Sequence, residues 1–158
     1  MRRLSLIVFM LIWALATATR ATVRHINVRE GLSSRQVYEV AEDPDGFIWV
    51  YTNSGIDRYD GRLMKHYTLD PYEEQNDHIQ SATSMKTAPD GTLWTVVKSG
   101  AIYRYDRERD KFVKDFRFND PMVLLYNFTV LDDGTLAVCA NNGLYRCGPG
   151  NGIEKLAL

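Results

Sequence analysis

Three Asp-Gly pairs, Asp45-Gly46, Asp90-Gly91 and Asp133-Gly134, are spaced by 45 and 43 residues, and each is followed by another glycine ten residues after the aspartate, at Gly55, Gly100 and Gly143. The intervening events also recur. Phe47-Ile48-Trp49, Thr92-Leu93-Trp94 and Thr135-Leu136-Ala137 follow the turns, and Asp57-Arg58-Tyr59-Asp60, Tyr103-Arg104-Tyr105-Asp106 and Tyr145-Arg146 follow the later glycines. A period of this length means that one supersecondary unit is repeated and that each copy buries its flanks against its neighbours. β-Rich runs lie before each Asp-Gly, at Val37 to Glu42, Ala82 to Thr87 and Tyr126 to Leu131, and after it, at Phe47 to Thr52, Thr92 to Val97 and Thr135 to Cys139. The Asp-Gly pair predicts a tight hairpin turn between them. The later glycine turns the chain into a third strand, and Met64 to Thr68, Phe112 to Phe116 and Ile153 to Leu156 supply a fourth.

Each unit therefore reads as a four-stranded antiparallel meander of the size of a propeller blade, and the chain as all-β. The blades span about residues 36–69, 81–118 and 124–158, and residues 23–28 read as an orphan outer strand with no blade before it. Trp49 and Trp94 occupy matching places where a large ring fills the space between blades. Ala137 replaces them in the third copy, so the junction it serves should be packed less well.

Residues 1–21 read as a signal peptide. Arg2 and Arg3 precede Leu4 to Ala16, thirteen mostly apolar residues, and Ala16-Thr17-Ala18 follows as a small-x-small cleavage pattern. The apolar run is too short for a comfortable membrane span. Its removal takes away Arg2, Arg3 and Arg20 and no acid, which moves the net charge from -1 to -4. The mature chain is thus mildly acidic and lacks the basic footprint that nucleic acid requires.

The run from Gly31-Leu32-Ser33 through Val37, Asp43, Gly46, Ile48-Trp49, Thr52, Gly55, Arg58-Tyr59-Asp60-Gly61 and Tyr67 resembles the repeat of the two-component regulator propeller family. The match is strong in the first copy, good in the second and weak in the third, where Ala137 and Cys147 replace aromatic residues. The resemblance implies a periplasmic sensor region of a hybrid two-component system typical of Bacteroidota. It also implies an oligosaccharide ligand derived from polysaccharide, a histidine kinase anchored in the inner membrane as partner, and a homodimeric receptor. A closed propeller needs about four to eight blades. Three blades and an orphan strand therefore predict the N-terminal portion of a longer sensor whose remaining blades close the ring. A propeller lyase or glycosidase fragment and an inert truncated product are the alternatives.

No cofactor, metal or catalytic constellation is expected. His25, His66 and His78 are far apart, and Glu73-Glu74 with Asp70 and Asp77 reads as a solvated acidic connector. Gly148-Pro149-Gly150-Asn151-Gly152 has the glycine content of a phosphate loop without its Lys-Ser/Thr ending, and reads as a turn between strands. Ligand contacts are expected from the connections at Leu69 to Ile79, with Tyr72, Asn76 and His78, and at Asn119 to Leu124. Cys139 and Cys147 stand four residues either side of Gly143. A hairpin symmetric about that glycine would oppose them at a separation of about 4.5 Å that a disulfide spans. Two small buried thiols are the equal alternative.

Overall fold

The computed structural model describes residues 23–69, 82–148 and 152–157. They form three four-stranded antiparallel sheets, one per sequence repeat. The first is β1 (Val37–Glu42), β2 (Ile48–Thr52), β3 (Gly55–Tyr59) and β4 (Met64–Tyr67). The second is β5 (Ala82–Thr87), β6 (Leu93–Val97), β7 (Ala101–Asp106) and β8 (Lys111–Arg117), and the third is β9 (Leu125–Val130), β10 (Leu136–Ala140), β11 (Gly143–Gly148) and β12 (Gly152–Lys155). In each sheet neighbours in sequence are neighbours in space. First strands adjoin one another, β1 against β5 and β5 against β9, so they are the inner strands of a partial propeller. No helix among the described residues is long and apolar enough to cross a membrane.

The first turns are wider than the two-residue hairpin the sequence predicts. Asp43 N–H donates to the Phe47 carbonyl and Gly46 N–H to that of Asp43, and the same pair of bonds recurs at Ala88–Thr92 and Leu131–Thr135. Only the glycine takes a left-handed backbone, with φ 81° at Gly46, 82° at Gly91 and 77° at Gly134. A turn with a left-handed glycine at its end suits the sheet twist as well as the two-residue form does.

The middle blade explains the alternation in its strands. Leu93, Val97, Ala101, Tyr103 and Tyr105 face the first blade and join Trp49, Tyr51, Ile56 and Tyr67 in one core. Val96 and Ile102 face the third blade and join Phe118, Leu125, Phe128, Leu136, Val138, Tyr145 and Cys147 in a second. Trp49 is fully buried, with its ring centroid 4.6 Å from that of Tyr105 and 5.8 Å from that of Phe112, so it fills the inter-blade space as expected. Trp94 packs against the second core and stacks on Phe116. Ala137 pairs with Arg146, on the sheet face opposite Leu136, Val138 and Cys147. The junction it serves is thus the face turned away from the second blade.

Two expectations need correction. Residues 23–27 belong to no ladder among the described residues, and Val28 opens a 3-10 turn, Val28–Glu30, instead of ending a strand. Asn27 caps that turn: its side chain accepts from Arg29 N–H while Glu30 reaches back to the Asn27 N–H, and this reciprocal box diverts the chain. The segment lies along the first blade, where Arg24 donates to the Gly61 carbonyl and covers the Tyr59 ring.

The second correction concerns the cysteines. The β10–β11 register pairs Cys139 with Leu144 and Cys147 with Leu136, because the two-residue turn is Asn141-Asn142 and its centre lies ahead of Gly143. Cys139 and the Leu136 opposite Cys147 are an odd number of residues apart on one strand, so the two thiols point to opposite faces. Cys139 is exposed, Cys147 is buried, and both are free.

Candidate functional site

Antiparallel meanders place their connections at two ends. One, the entry end, carries the segments leading into β1 and β9 and the start of β5, together with the β2–β3, β6–β7 and β10–β11 turns. The other carries the Asp-Gly turns and the β3–β4 and β7–β8 turns, with Arg107 paired to Asp45 at 2.7 Å across the first junction.

At the entry end the Gly31-Leu32-Ser33 segment is fixed by a carboxylate. Asp57, fully buried on β3, accepts from Ser33 N–H at 2.8 Å and Ser33 Oγ at 2.7 Å, and its other oxygen lies 2.9 Å from His66 Nδ1. Ser33 Oγ also lies 2.7 Å from Thr52 Oγ1. A buried carboxylate is tolerable only when its lone pairs are occupied, and here they are. The serine and the imidazole bind the same carboxylate, so the imidazole holds no proton relay to the hydroxyl, and the group fastens backbone instead of activating a nucleophile.

The connection at Asn119 to Leu124 is fixed in a similar way. Asp120 accepts from Met122 N–H at 2.9 Å, and Asn141, in the β10–β11 turn, accepts from Leu124 N–H and donates to the Met122 carbonyl. Val123 is buried beneath, while the Met122 side chain stands out into solvent. At the same end of the first blade Tyr38 donates to Asn53 Oδ1 at 3.1 Å. Tyr72, Asn76 and His78 and the acidic connector lie outside the described residues, as does the signal-peptide segment. Of the candidate contact segments, the described one is Asn119 to Leu124.

The opposite end holds a charged cluster that spacing alone does not reveal. Asp110, in the β7–β8 turn with φ 49°, accepts from Tyr105 Oη at 2.5 Å, Tyr67 Oη at 2.6 Å and Arg58 at 3.2 Å, and pairs with Lys65. Burial works to raise the Asp110 carboxyl, but the bonds from Lys65, Tyr105 and Tyr67 and the Arg58 charge outweigh it and hold the group well below the usual carboxylate range. Tyr67 and Tyr105 are both pushed up, first by burial and then by their bonds to Asp110. The Arg58 guanidinium lies 4.6 Å from the Phe47 ring centre and 5.5 Å from that of Trp49. Three of the four Asp110 partners, Arg58, Lys65 and Tyr67, come from the first blade and the fourth, Tyr105, from the second, so the cluster ties two blades together.

Two clefts flank these features. One of about 460 Å³ lies between the N-terminal segment and β1, lined by His25, Asn27, Leu32, Arg35 and Val37. Another of about 420 Å³ lies against the Asp90-Gly91 turn, beside Arg104 and Glu108. Among the described residues no group of three or more His, Cys, Asp or Glu side chains converges on a metal position. Gly148 of β11 pairs with Gly152 of β12, and residues 149–151 between them lie outside the described residues.

The chain matches no protein-family profile and no curated protein. Solved structures do resemble it. The extracellular domain of the hybrid two component system BT4673 from B. thetaiotaomicron superposes with a TM-score of 0.69 at 18% identity, over 87% of this chain and 19% of its own. That of BT3049 from the same organism gives 0.62 at 23% identity, over 82% of this chain and 19% of its own. Virginiamycin B lyase from Staphylococcus aureus, in a catalytically inactive variant with quinupristin, gives 0.66 at 17% identity, over 90% of this chain and 47% of its own. The chain thus spans about a fifth of the length of the two extracellular domains it resembles, and what it shares with all three proteins is the fold.

Proposed function

We propose that this chain is a ligand-sensing propeller portion of a hybrid two-component sensor, exported through residues 1–21 and acting outside the cytoplasm. In the whole protein further blades close the ring, an oligosaccharide from polysaccharide breakdown binds at the entry end, and a membrane-anchored histidine kinase receives the signal. The observation that carries this reading is the likeness of more than four-fifths of the chain to extracellular domains of two hybrid two-component systems. The entry end supports it, because two independent side-chain networks, at Asp57 and at Asn141, fasten segments there that would otherwise be loose. Rigidly held connections are what a binding face needs, since order present before binding costs nothing on binding.

The likeness to a lyase favours a second reading, an enzyme fragment. One experiment separates them. The intact protein is mixed with a panel of plant and host oligosaccharides, and its melting temperature and the glycan products are followed together. Sensing predicts a raised melting temperature with the oligosaccharide recovered unchanged. New reducing or unsaturated ends would replace the sensor by the enzyme.

A further inference from the structure

The inner strand of every blade carries a β-bulge at the same place. In β1 the pairing passes from Val37↔Thr52 to Glu39↔Tyr51 and skips Tyr38. In β5 it passes from Ala82↔Val97 to Ser84↔Val96 and skips Thr83, and in β9 from Leu125↔Ala140 to Asn127↔Cys139 and skips Tyr126. The skipped positions are 45 and 43 residues apart, in step with the Asp-Gly turns. A bulge leaves one residue out of the ladder, sharpens the local twist and re-aims that side chain. The bulge recurs on three adjoining inner strands, and in the first and third blades it turns Tyr38 and Tyr126 out of the ladder at the entry end.

Bulges also protect an edge strand from pairing with another chain. Edge protection explains the bulge but not its occupant, because a short polar residue would serve. Here tyrosine stands at the skipped position in the first and third blades, 49% and 48% exposed. Five of the eight large apolar side chains that are exposed among the described residues belong to the same region, with Val37, Tyr38 and Val40 on β1 and Met122 and Tyr126 at the start of β9. Tyr38 is also held ready: its ring lies 5.3 Å from that of Tyr51, and its hydroxyl is bonded to Asn53. Asn53, bonded to Tyr38, and Asn142, in the β10–β11 turn at the same end and bonded to Tyr145, add exposed amides, so that end combines exposed aromatic rings with fixed polar groups.

We infer that the bulged tyrosines, Tyr38 and Tyr126, are stacking platforms for the pyranose rings of a neutral oligosaccharide that crosses the inner-strand ends from the first blade to the third. This assignment rests on the sensing reading and names the residues and ligand chemistry of its site. The test uses the full chain and calorimetric titration with cellohexaose, xylohexaose, mannohexaose and maltohexaose. Tyr38→Ala and Tyr126→Ala should each weaken the binding of whichever hexasaccharide binds by about threefold to tenfold, the range expected for one lost ring contact. Tyr38→Phe and Tyr126→Phe should keep most of it, and Leu63→Ala, which removes an exposed apolar side chain at the opposite end, should keep all of it. Melting curves of every variant report whether the fold is retained, and Tyr126→Ala, at an exposed ring, keeps the test open if Tyr38→Ala loosens the first blade. A hexasaccharide that binds both alanine variants as tightly as the parent overturns the platform and leaves sensing intact. Failure of all four to bind the parent chain overturns the neutral-oligosaccharide ligand itself, and the platform with it.

Discussion

The two blade junctions are built from the same repeat yet held by different chemistry. Between the first and second blades the core is aromatic, with Trp49, Tyr51, Tyr67, Tyr103, Tyr105 and Phe112, and its rim is the Asp110 cluster. Between the second and third it is mostly aliphatic, with Val96, Ile102, Val123, Leu125, Leu136, Val138 and the Cys147 thiol, and Phe118 packs edge-on to Tyr145. The Asp-Gly turns repeat the contrast. A Cβ at Gly91 would come within 2.4 Å of Pro44, whereas one at Gly134 would meet nothing within 4 Å. A repeat thus fixes which positions are buried, while the residues placed there decide whether a junction responds to charge. Arg58 illustrates it: Arg104, its counterpart, pairs with Asp115 inside its own blade, so a matching letter reaches across one junction and not the other.

The largest expected difference between the junctions comes from their anchors. Trp49→Ala should cost about 3–5 kcal/mol and Leu136→Ala about 2–5 kcal/mol in urea unfolding, because each leaves a cavity the surrounding rings or methyls fill only in part. If the junctions open separately, Trp49→Ala should yield two transitions, with tyrosine fluorescence from the first core changing before that of Trp94, which packs against the second. A single transition in both variants would mean that the three blades unfold as one unit.

Gly91→Ala and Gly134→Ala compare the turns with the side chain held constant. Both force a Cβ into a left-handed backbone, at a cost of about 1–2 kcal/mol. Only Gly91→Ala must also displace Pro44, so it should be the more destabilising of the two. Equal losses would show that the blades are free to separate at that end.

The first junction should also respond to acid. Asp110 is held below the usual carboxylate range, so the stability it contributes is fully present above about pH 4 and is lost as the pH falls from there towards its lowered value. Asp110→Asn should therefore flatten the fall in stability below pH 4, with a loss at neutral pH of about 1 kcal/mol, since the side chain is 40% exposed and water competes for it. An unchanged acid slope would place the acid sensitivity elsewhere.

Much of this architecture is legible in the spacing. The Asp-Gly pairs, the ten-residue interval and the position of Trp49 locate the twelve strands among the described residues to within one or two residues, because turn geometry and alternation are local properties. What spacing does not carry is register. The Cys139–Cys147 opposition failed through a turn centred on Asn141-Asn142, and the 3-10 turn at Val28 depends on the fit between Asn27 and Glu30. Asp110 and Asp57 were equally hidden, since each gains its role from partners that only the folded blades assemble. The signal for Ser33 was present, in its place within the Gly-Leu-Ser run, and that for Tyr38 and Tyr126 lay in a spacing that follows the turns.

The cysteines offer the finest probe of the contrast. Burial pushes the Cys147 thiol up to about 11, so it reacts as thiolate only when the second junction opens, while Cys139 is exposed and should react at once. Unreduced, denatured chain should show two thiols, and a count of zero would restore the disulfide. In the native chain a fast and a slow labelling phase are expected at neutral pH. Asp110→Asn weakens only the first junction, so the slow phase should keep its rate if the junctions open independently. It should speed up in proportion to the lost stability if labelling of Cys147 requires the whole chain to unfold, and that one rate then states whether the second junction is a separate hinge or part of a single cooperative body.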